Sequence, residues 1–577
     1  MNPIKKVTLL SLITTVLAAC GGGSSSTAGD HGEVEYSDMG LVSILPADLS
    51  SGVDRDTEIS AQFSADLLPT SANSNGFRLR RDDEFVSGTV SMLGTDTIRF
   101  TPDKTLDLLT LYHPGVTSDI ADIDGRPFGF LGDGEWAFLT RDGVWGETKK
   151  VAEGAIENPQ LIDEGDAMSS FYQSDNLSSG QNDLFYTRQP LDDGSVQTRK
   201  VVSNGENDGN VTGSLNAIRL GNGDLLAVWQ ELSGDGKDEI WYNRYAAAAE
   251  SWGTSARVTL PNENKLRPRL VSNASDSVFL LFDLEDSISM ATDLIVIGYS
   301  VADDQWLGEA LIADDLDVST GSAQASIAMD SAGNMMAIWF SNNLRFRSRF
   351  YNATSGLWED TTVFIQPDAG DTYLGSQIVV DSQNNFTAAW SQKNALSGLP
   401  YIWTSRYSSS EGWSEAHQII GSTMGTSPIM QVNKDNNIIL LSLQEVGSGD
   451  DNLLFSGFKL TDNQWTNAAP LEDSEQPASQ PSLVVDRSGN FMAMWNQKRS
   501  GTFIDLQGNI SLDPSTIWAR RFDNNTAESE WLPAIPISPI AGAVDKPVMA
   551  INSSGEIMAL WMQIIDTTPT LQGRYFE

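Results

Sequence analysis

Between residue 145 and the C-terminus, apolar and polar positions alternate in short runs, and the runs themselves recur about every 50 residues. The clearest copy starts with Ser326-Ile327-Ala328-Met329-Asp330. The turn Ser331-Ala332-Gly333-Asn334 leads into Met335-Met336-Ala337-Ile338-Trp339. Arg347-Ser348-Arg349-Phe350-Tyr351 and Leu357-Trp358 complete the unit. Alternation over runs this short predicts strands, and Gly, Asn, Asp and Ser punctuate the chain too often for long helices. Several short strands per unit at this period predict a β-propeller.

Aligned on the second strand, the units place an anchor at Phe171, Trp229, Phe282, Trp339, Trp390, Leu443, Trp495 and Trp561. The steps are 58, 53, 57, 51, 53, 52 and 66, the last widened by an insertion near Thr502–Pro514. The turn before this strand reads Asp330-x-x-Gly333-Asn334, Asp381-x-x-Asn384-Asn385, Asp486-x-x-Gly489-Asn490 and Asn552-x-x-Gly555-Glu556. An Asp or Asn at the first position caps the backbone, and Gly or Asn at the fourth tolerates positive φ, so the motif reads as hairpin punctuation rather than as a metal site. An Arg-aromatic pair recurs in the third strand: Arg244-Tyr245, Arg349-Phe350, Arg406-Tyr407, Arg521-Phe522 and Arg574-Tyr575. These arginines are expected to pair with carboxylates of the repeat. Trp252, Trp306, Trp358, Trp413, Trp465 and Trp531 open the fourth strand. Because they recur in unit after unit, they are expected to pack between neighbouring blades rather than to stack on sugars.

The last unit stops after its third strand, at Gly573-Arg574-Tyr575-Phe576, while a Trp-led strand, Val144–Val151, stands alone before the first. Pairing the two would close the ring and remove two open edges. The expectation is eight blades, with seven as the fallback if the divergent units around Ser272–Trp306 or Asn433–Trp465 are incomplete.

Residues 38–142 carry a different pattern, with alternating runs at Gly40–Leu45, Glu58–Phe63, Gly76–Leu79, Val86–Met92, Thr97–Phe100 and Glu135–Leu139. Short strands at this density predict a β-sandwich. Ile59 with Phe63-Ser64, Phe100-Thr101-Pro102, the Asp122-Ile123-Asp124-Gly125 turn and Trp136-Ala137-Phe138-Leu139-Thr140 resemble the bacterial Ig-like domain of surface-layer and other exported proteins. The resemblance implies a spacer or adhesive module without catalysis. Asp119, Asp122 and Asp124 lack the spacing of an EF-hand and read as a polar turn.

At the N-terminus, Lys5-Lys6 precede a 13-residue apolar stretch, Val7–Ala19, that is too short to span a bilayer as a helix. Leu17-Ala18-Ala19-Cys20 resembles a bacterial lipobox. The resemblance implies a mature chain starting at Cys20 and acylated there, and Gly21 rather than Asp after it implies sorting to the outer membrane of a Gram-negative cell. Residues 1–19 then form a signal peptide, 20–37 a Gly/Ser tether, 38–142 the Ig-like domain and 143–577 the propeller. Cys20 is the one cysteine in 577 residues, so the chain can form no internal disulfide.

A formal net charge of −41 excludes nucleic acid as a general electrostatic partner. The histidines are His31, His113 and His417, too few and too scattered for a histidine metal centre or a Ser-His-Asp triad. The recurring turn differs from the sialidase Asp-box, S-x-D-x-G-x-x-W, in both of its spacings. Acidic loops containing Asp235, Asp238, Glu239, Asp450 and Asp451 are candidates for weak calcium binding, and Asp314-Asp315-Leu316-Asp317 is a third acidic loop. No other cofactor is expected. The sequence reads as a lipid-anchored, extracytoplasmic, non-catalytic binding module for a protein or glycan. A sialidase-like or lyase-type enzyme and a scaffold subunit of an envelope complex are the alternatives.

Overall fold

The computed structural model describes residues 36–577 apart from 130–133, 155, 166, 177–180, 191–199, 204–209, 234–235, 259–263, 286–291, 314–324, 342–344, 361, 366–371, 394–396, 446–450, 473–475, 499–502, 505–509, 512–514, 526–529, 540–543 and 566–567. The fold is all-β: an Ig-like sandwich followed by a β-propeller.

In the sandwich one sheet holds Leu41–Leu45, Ile59–Phe63, Thr97–Pro102 and Gly88–Met92. The other holds Ser50–Val53, Phe138–Thr140, Leu111–Val116, Phe77–Arg81 and Glu84–Phe85, with Gly134–Glu135 at its side. Alternate residues of each strand turn inward. Ile59, Phe63, Phe77, Ile98, Phe100, Tyr112, Trp136 and Phe138 form the core, with Phe77 stacked on Trp136 at 5.9 Å between ring centroids. Asp122 organises the turn foreseen from the sequence. It accepts hydrogen bonds from Ser37 Oγ (2.7 Å) and from the backbone N–H groups of Asp124 and Arg126. The Ser37 bond is the largest favourable influence that holds its carboxyl below the usual range.

The propeller is a succession of eight antiparallel sheets built on four strands each. The eighth is assembled from both ends of this region. Val544–Ile551, Ile557–Ile565 and Thr568–Phe576 are joined by Lys149–Glu153, and Trp145 bridges Phe576. The foreseen closing strand therefore pairs as expected. The divergent units around 272–306 and 433–465 each form a complete sheet. Each inner strand packs on the inner strand of the next sheet, and Ile156–Asp163 of the first packs on Val544–Ile551 of the last.

The recurring turn works through its first residue. Asp330 Oδ1 accepts from the N–H groups of Ala332 and Asn334, and Asp381, Asn433 and Asn552 make the same pair of bonds. Gly333 and Gly489 adopt φ of 87° and 89°, where an L side chain would be strained. Anchors Trp229, Trp339, Trp390, Trp495 and Trp561 are fully buried, each against the preceding sheet. The outer tryptophans also sit between sheets: Trp252 meets Phe171 and Tyr186, Trp306 meets Tyr242, and Trp413 Nε1 donates to Ser348 Oγ at 2.9 Å.

Polar bonds tie neighbouring inner strands to one another. Gln160 Oε1 accepts from Ala217 N (3.0 Å), Asn216 Oδ1 from Leu270 N (2.9 Å) and Gln480 Oε1 from Lys546 N (3.0 Å). Each satisfies a backbone donor that the pairing of its own sheet leaves free.

The Ig-like domain does not hang free as a spacer. Leu108, fully buried, enters one apolar cluster with Met492, Met494, Ile557 and Trp561. Leu108 N donates to Ser554 O (2.9 Å), and Asn525 Nδ2 donates to Leu109 O (2.7 Å). Thr110 Oγ1 and Ser488 Oγ lie 2.6 Å apart, and Arg55 Nη1 reaches Glu556 Oε1 at 2.7 Å. At the rim, Lys434 Nζ meets Asp82 at 2.8 Å. The contact falls on the recurring turns of the sixth to eighth sheets, so the domain sits on the ring face that carries these turns.

Candidate functional site

The site residues proposed from sequence do not converge. Cys20, Asp235, Asp450 and the loop 314–317 lie outside the described residues. Asp238 Oδ1 accepts from Thr212 Oγ1 at 2.9 Å. Glu239 is buried with Arg257 Nε 2.8 Å from its carboxylate. Asp451 opens the third strand of the sixth sheet. Among the described residues no three His, Cys, Asp or Glu side chains are placed to hold a metal ion, and no helix is long and apolar enough to cross a membrane.

Next to Glu239, Glu231 accepts from Trp229 Nε1 at 2.9 Å. Burial pushes its carboxyl above the ordinary range, and like charge on Asp183 and Glu239 adds to the effect. A raised carboxyl holds its proton more tightly folded than unfolded, so this contribution to stability is present at low pH and lost as pH rises through the folded value. In three other sheets the same position is Gln392, Gln497 or Gln563, each accepting from its own anchor tryptophan. Glu231→Gln is therefore expected to raise the unfolding midpoint at pH 8 and to leave it nearly unchanged at pH 4. Chemical unfolding at the two pH values checks this.

The third-strand arginines occupy two registers, not one. Arg244, Arg406 and Arg521 pair with the turn aspartates Asp224, Asp381 and Asp486, as expected. Arg349 and Arg574 lie one residue earlier, opposite Ala337 and Ala559, and a shift of one residue turns a side chain to the other face of its sheet. These two bind carbonyls instead. Arg349 Nη1 reaches Leu311 O (2.8 Å) and Arg574 Nη1 reaches Ile537 O (2.8 Å), both on the preceding sheet. Asn243 reaches Val202 O at 2.8 Å from the same register, and Arg520 there binds Leu471 O. The result, in the second, fourth, seventh and eighth sheets, is a staple from the third strand back to its neighbour. The sequence hid the distinction because Arg520-Arg521 fills both registers at once.

The sixth sheet departs from the others at its anchor. Counted from its turn, Ile438 corresponds to Phe386, so the residue matching Trp390 is Ser442, not Leu443. Ser442 is buried, whereas Leu443 is half-buried on the opposite face. The staple position holds Ser456, which bonds within its own sheet to Thr466 O at 2.6 Å, as Ser405 of the fifth sheet does to Ser414 O at 2.9 Å. No arginine bridge reaches the sixth sheet from the fifth, and Arg521 Nη1 of the seventh makes none either. Arg244 Nη1 crosses to Val301 O at 2.7 Å, but Arg406 Nη1 makes no hydrogen bond and its guanidinium lies 5.2 Å from the centre of the Phe458 ring.

A groove of about 800 Å3 opens between the fifth and sixth sheets at the outer rim. Asn385, Trp413, His417, Asn463, Trp465 and Asn467 line it. The two tryptophans are half-buried, and His417, Asn463 and Asn467 are exposed. Amides and hydroxyls bracketed by flat apolar rings form a surface that hydrogen-bonds hydroxyl groups and packs against C–H faces. The outer tryptophans were expected to serve packing alone. Trp413 and Trp465 serve it and also present an edge to this groove.

Residues 37–140 match the family model of the bacterial Ig-like domain. Among curated proteins none matches the chain. Among solved structures it is similar to the β-propeller domain of the trilobed protease from Pyrococcus furiosus, at 8% identity over 62% of this chain and 92% of that one, with a TM-score of 0.37. It is also similar to a polysaccharide lyase described as an ulvan lyase, at 8% identity over 74% and 95%, TM-score 0.40. A third is the NanB sialidase of Streptococcus pneumoniae, at 10% identity over 93% and 98%, TM-score 0.34. The propeller reading rests on the strand order of this chain and does not lean on these likenesses.

Proposed function

We propose that this chain is an extracytoplasmic, non-catalytic binding module, held to the cell envelope by lipid at Cys20, whose ring takes an uncharged stretch of glycan in the groove between its fifth and sixth sheets. One observation carries the reading. The groove lies beside the sixth sheet, where Ser442 stands at the register that holds a buried aromatic in the other seven, and amides, hydroxyls and two indoles dominate its lining beside Arg406 and Glu411. The eight sheets are taken as eight blades. Docking of the Ig-like domain on the turn face would leave the opposite face pointing away from the tether.

Isothermal titration of the chain with neutral oligosaccharides tests the reading. Saturable binding is expected, with Trp465→Ala weakening it by about tenfold or more, since one sugar–indole contact removed is worth on the order of 1–2 kcal/mol. Trp358→Ala, the corresponding change away from the groove, is expected to leave affinity unchanged. Equal losses from both variants would contradict the site.

A further inference from the structure

The outer face of the Ig-like domain carries a patch at odds with the charge of the whole chain. Along Phe77–Arg81, Phe77 and Leu79 turn into the core, so Arg78 and Arg80 share the outer face. Across the ladder, Arg80 lies opposite His113 and Arg78 opposite Gly115. The absence of a side chain at Gly115 leaves a depression of about 240 Å3, walled by Arg78, Arg80, Phe85, His113 and Glu135. A Cβ at Gly115 would stand 2.9 Å from Glu135 Cγ, which makes the hollow a consequence of glycine there.

The two arginines are not equivalent. Arg80 Nη2 is held by Glu135 at 2.5 Å. Arg78 has no carboxylate partner among the described residues, and its guanidinium lies 5.2 Å from the centre of the Phe85 ring. Phe85 is 60% exposed and forms one wall of the hollow.

We infer that this hollow is a second binding site, for a carboxylate-bearing sugar. Arg78 would receive the carboxylate through paired N–H donors, His113 and Arg80 would meet ring hydroxyls or the glycosidic oxygen, and Phe85 would pack against the apolar face of the ring. The site differs from the propeller groove in both place and chemistry. The groove is lined mainly by amides, hydroxyls and indoles, and its one arginine, Arg406, is paired with Asp381, whereas here Arg78 has no carboxylate partner among the described residues. Together the two would let one chain hold an acidic polysaccharide at one point and an uncharged stretch at another.

The test is calorimetric titration of the full chain with tetragalacturonate and, separately, with its fully methyl-esterified form, which keeps the rings and removes the charge. Saturable binding of the acid, with much weaker or no binding of the ester, is expected. Arg78→Gln should weaken binding of the acid by about tenfold or more, as for loss of one charge-assisted pair. Arg99→Gln, on the other sheet, should not change it. Both changes are at partly exposed side chains, and unchanged thermal unfolding confirms that the variants fold. No binding of the acid, equal binding of acid and ester, or an unaltered affinity in Arg78→Gln would each overturn the proposal. So would an acidic tetrapeptide binding as tightly as the sugar. Trp465→Ala should leave this binding intact, so failure here and failure of the groove are told apart.

Discussion

Trp561→Ala is expected to destabilise the folded chain by about 3–5 kcal/mol, the largest effect of any single truncation in the ring. The indole is fully buried, packed on Met492, Met494 and Ile517 of the preceding sheet and in the same cluster as Leu108 of the Ig-like domain. Its Nε1 donates to Gln563 Oε1 at 3.3 Å, a bond that truncation also removes. The strands around it are fixed by ladders on both sides, and the cavity cannot collapse. Ser442→Ala, in the corresponding register of the sixth sheet, is expected to cost less than about 1 kcal/mol because that sheet never placed a large side chain there. Denaturant midpoints of the two variants provide the comparison. A loss at Trp561 as small as that at Ser442 would mean that the anchors do not hold the sheets together.

Leu108→Asp is expected to separate the two modules. It places a carboxylate among Met492, Met494, Ile557 and Phe576, where the arginine over the Phe576 ring, Arg521, is already paired with Asp486, and burying an unpaired charge costs well above about 3 kcal/mol. The chain can escape that cost by undocking the Ig-like domain. The wild type should unfold in one transition and resist limited proteolysis between the modules, whereas the variant should show two transitions and be cut near the junction. Lys434→Ala, which removes a rim ion pair with an exposed carboxylate, should shift stability by less than about 1 kcal/mol. One transition and full protease resistance in Leu108→Asp would contradict a docked architecture.

Much of this fold is written in local patterns. A turn motif and a buried aromatic five residues later gave the second strand of unit after unit, because hairpin chemistry and burial both act over a few residues. The misplacement of the anchor at Leu443 shows where pattern stops. A search for a large apolar residue finds one, but the register set by the turn puts Ser442 in the aromatic's place. The arginines fail for a related reason. Strand period makes adjacent residues opposites, so Arg349 and Arg406 look alike in sequence and face different neighbours.

One signal was present and passed over. Pro159, Pro268, Pro428, Pro481 and Pro547 recur in the inner strands, and the residue before each has positive φ, between 46° and 53°. Each marks a bulge at which the inner strand slips register against the second. The docking of Leu108 on residues nearly 400 positions away had no local signature at all. The groove draws its lining from two neighbouring sheets, so it is legible only once their registers are known.

The most direct test of the central claim is a screen of the intact chain against a panel of neutral oligosaccharides, reading bound ligand by calorimetry and released product by chromatography in the same samples. The account requires saturable binding of at least one glycan, loss of that binding in Trp465→Ala, and no product. Turnover of the bound glycan would contradict a non-catalytic module, and an undiminished affinity in Trp465→Ala would contradict the groove as its site.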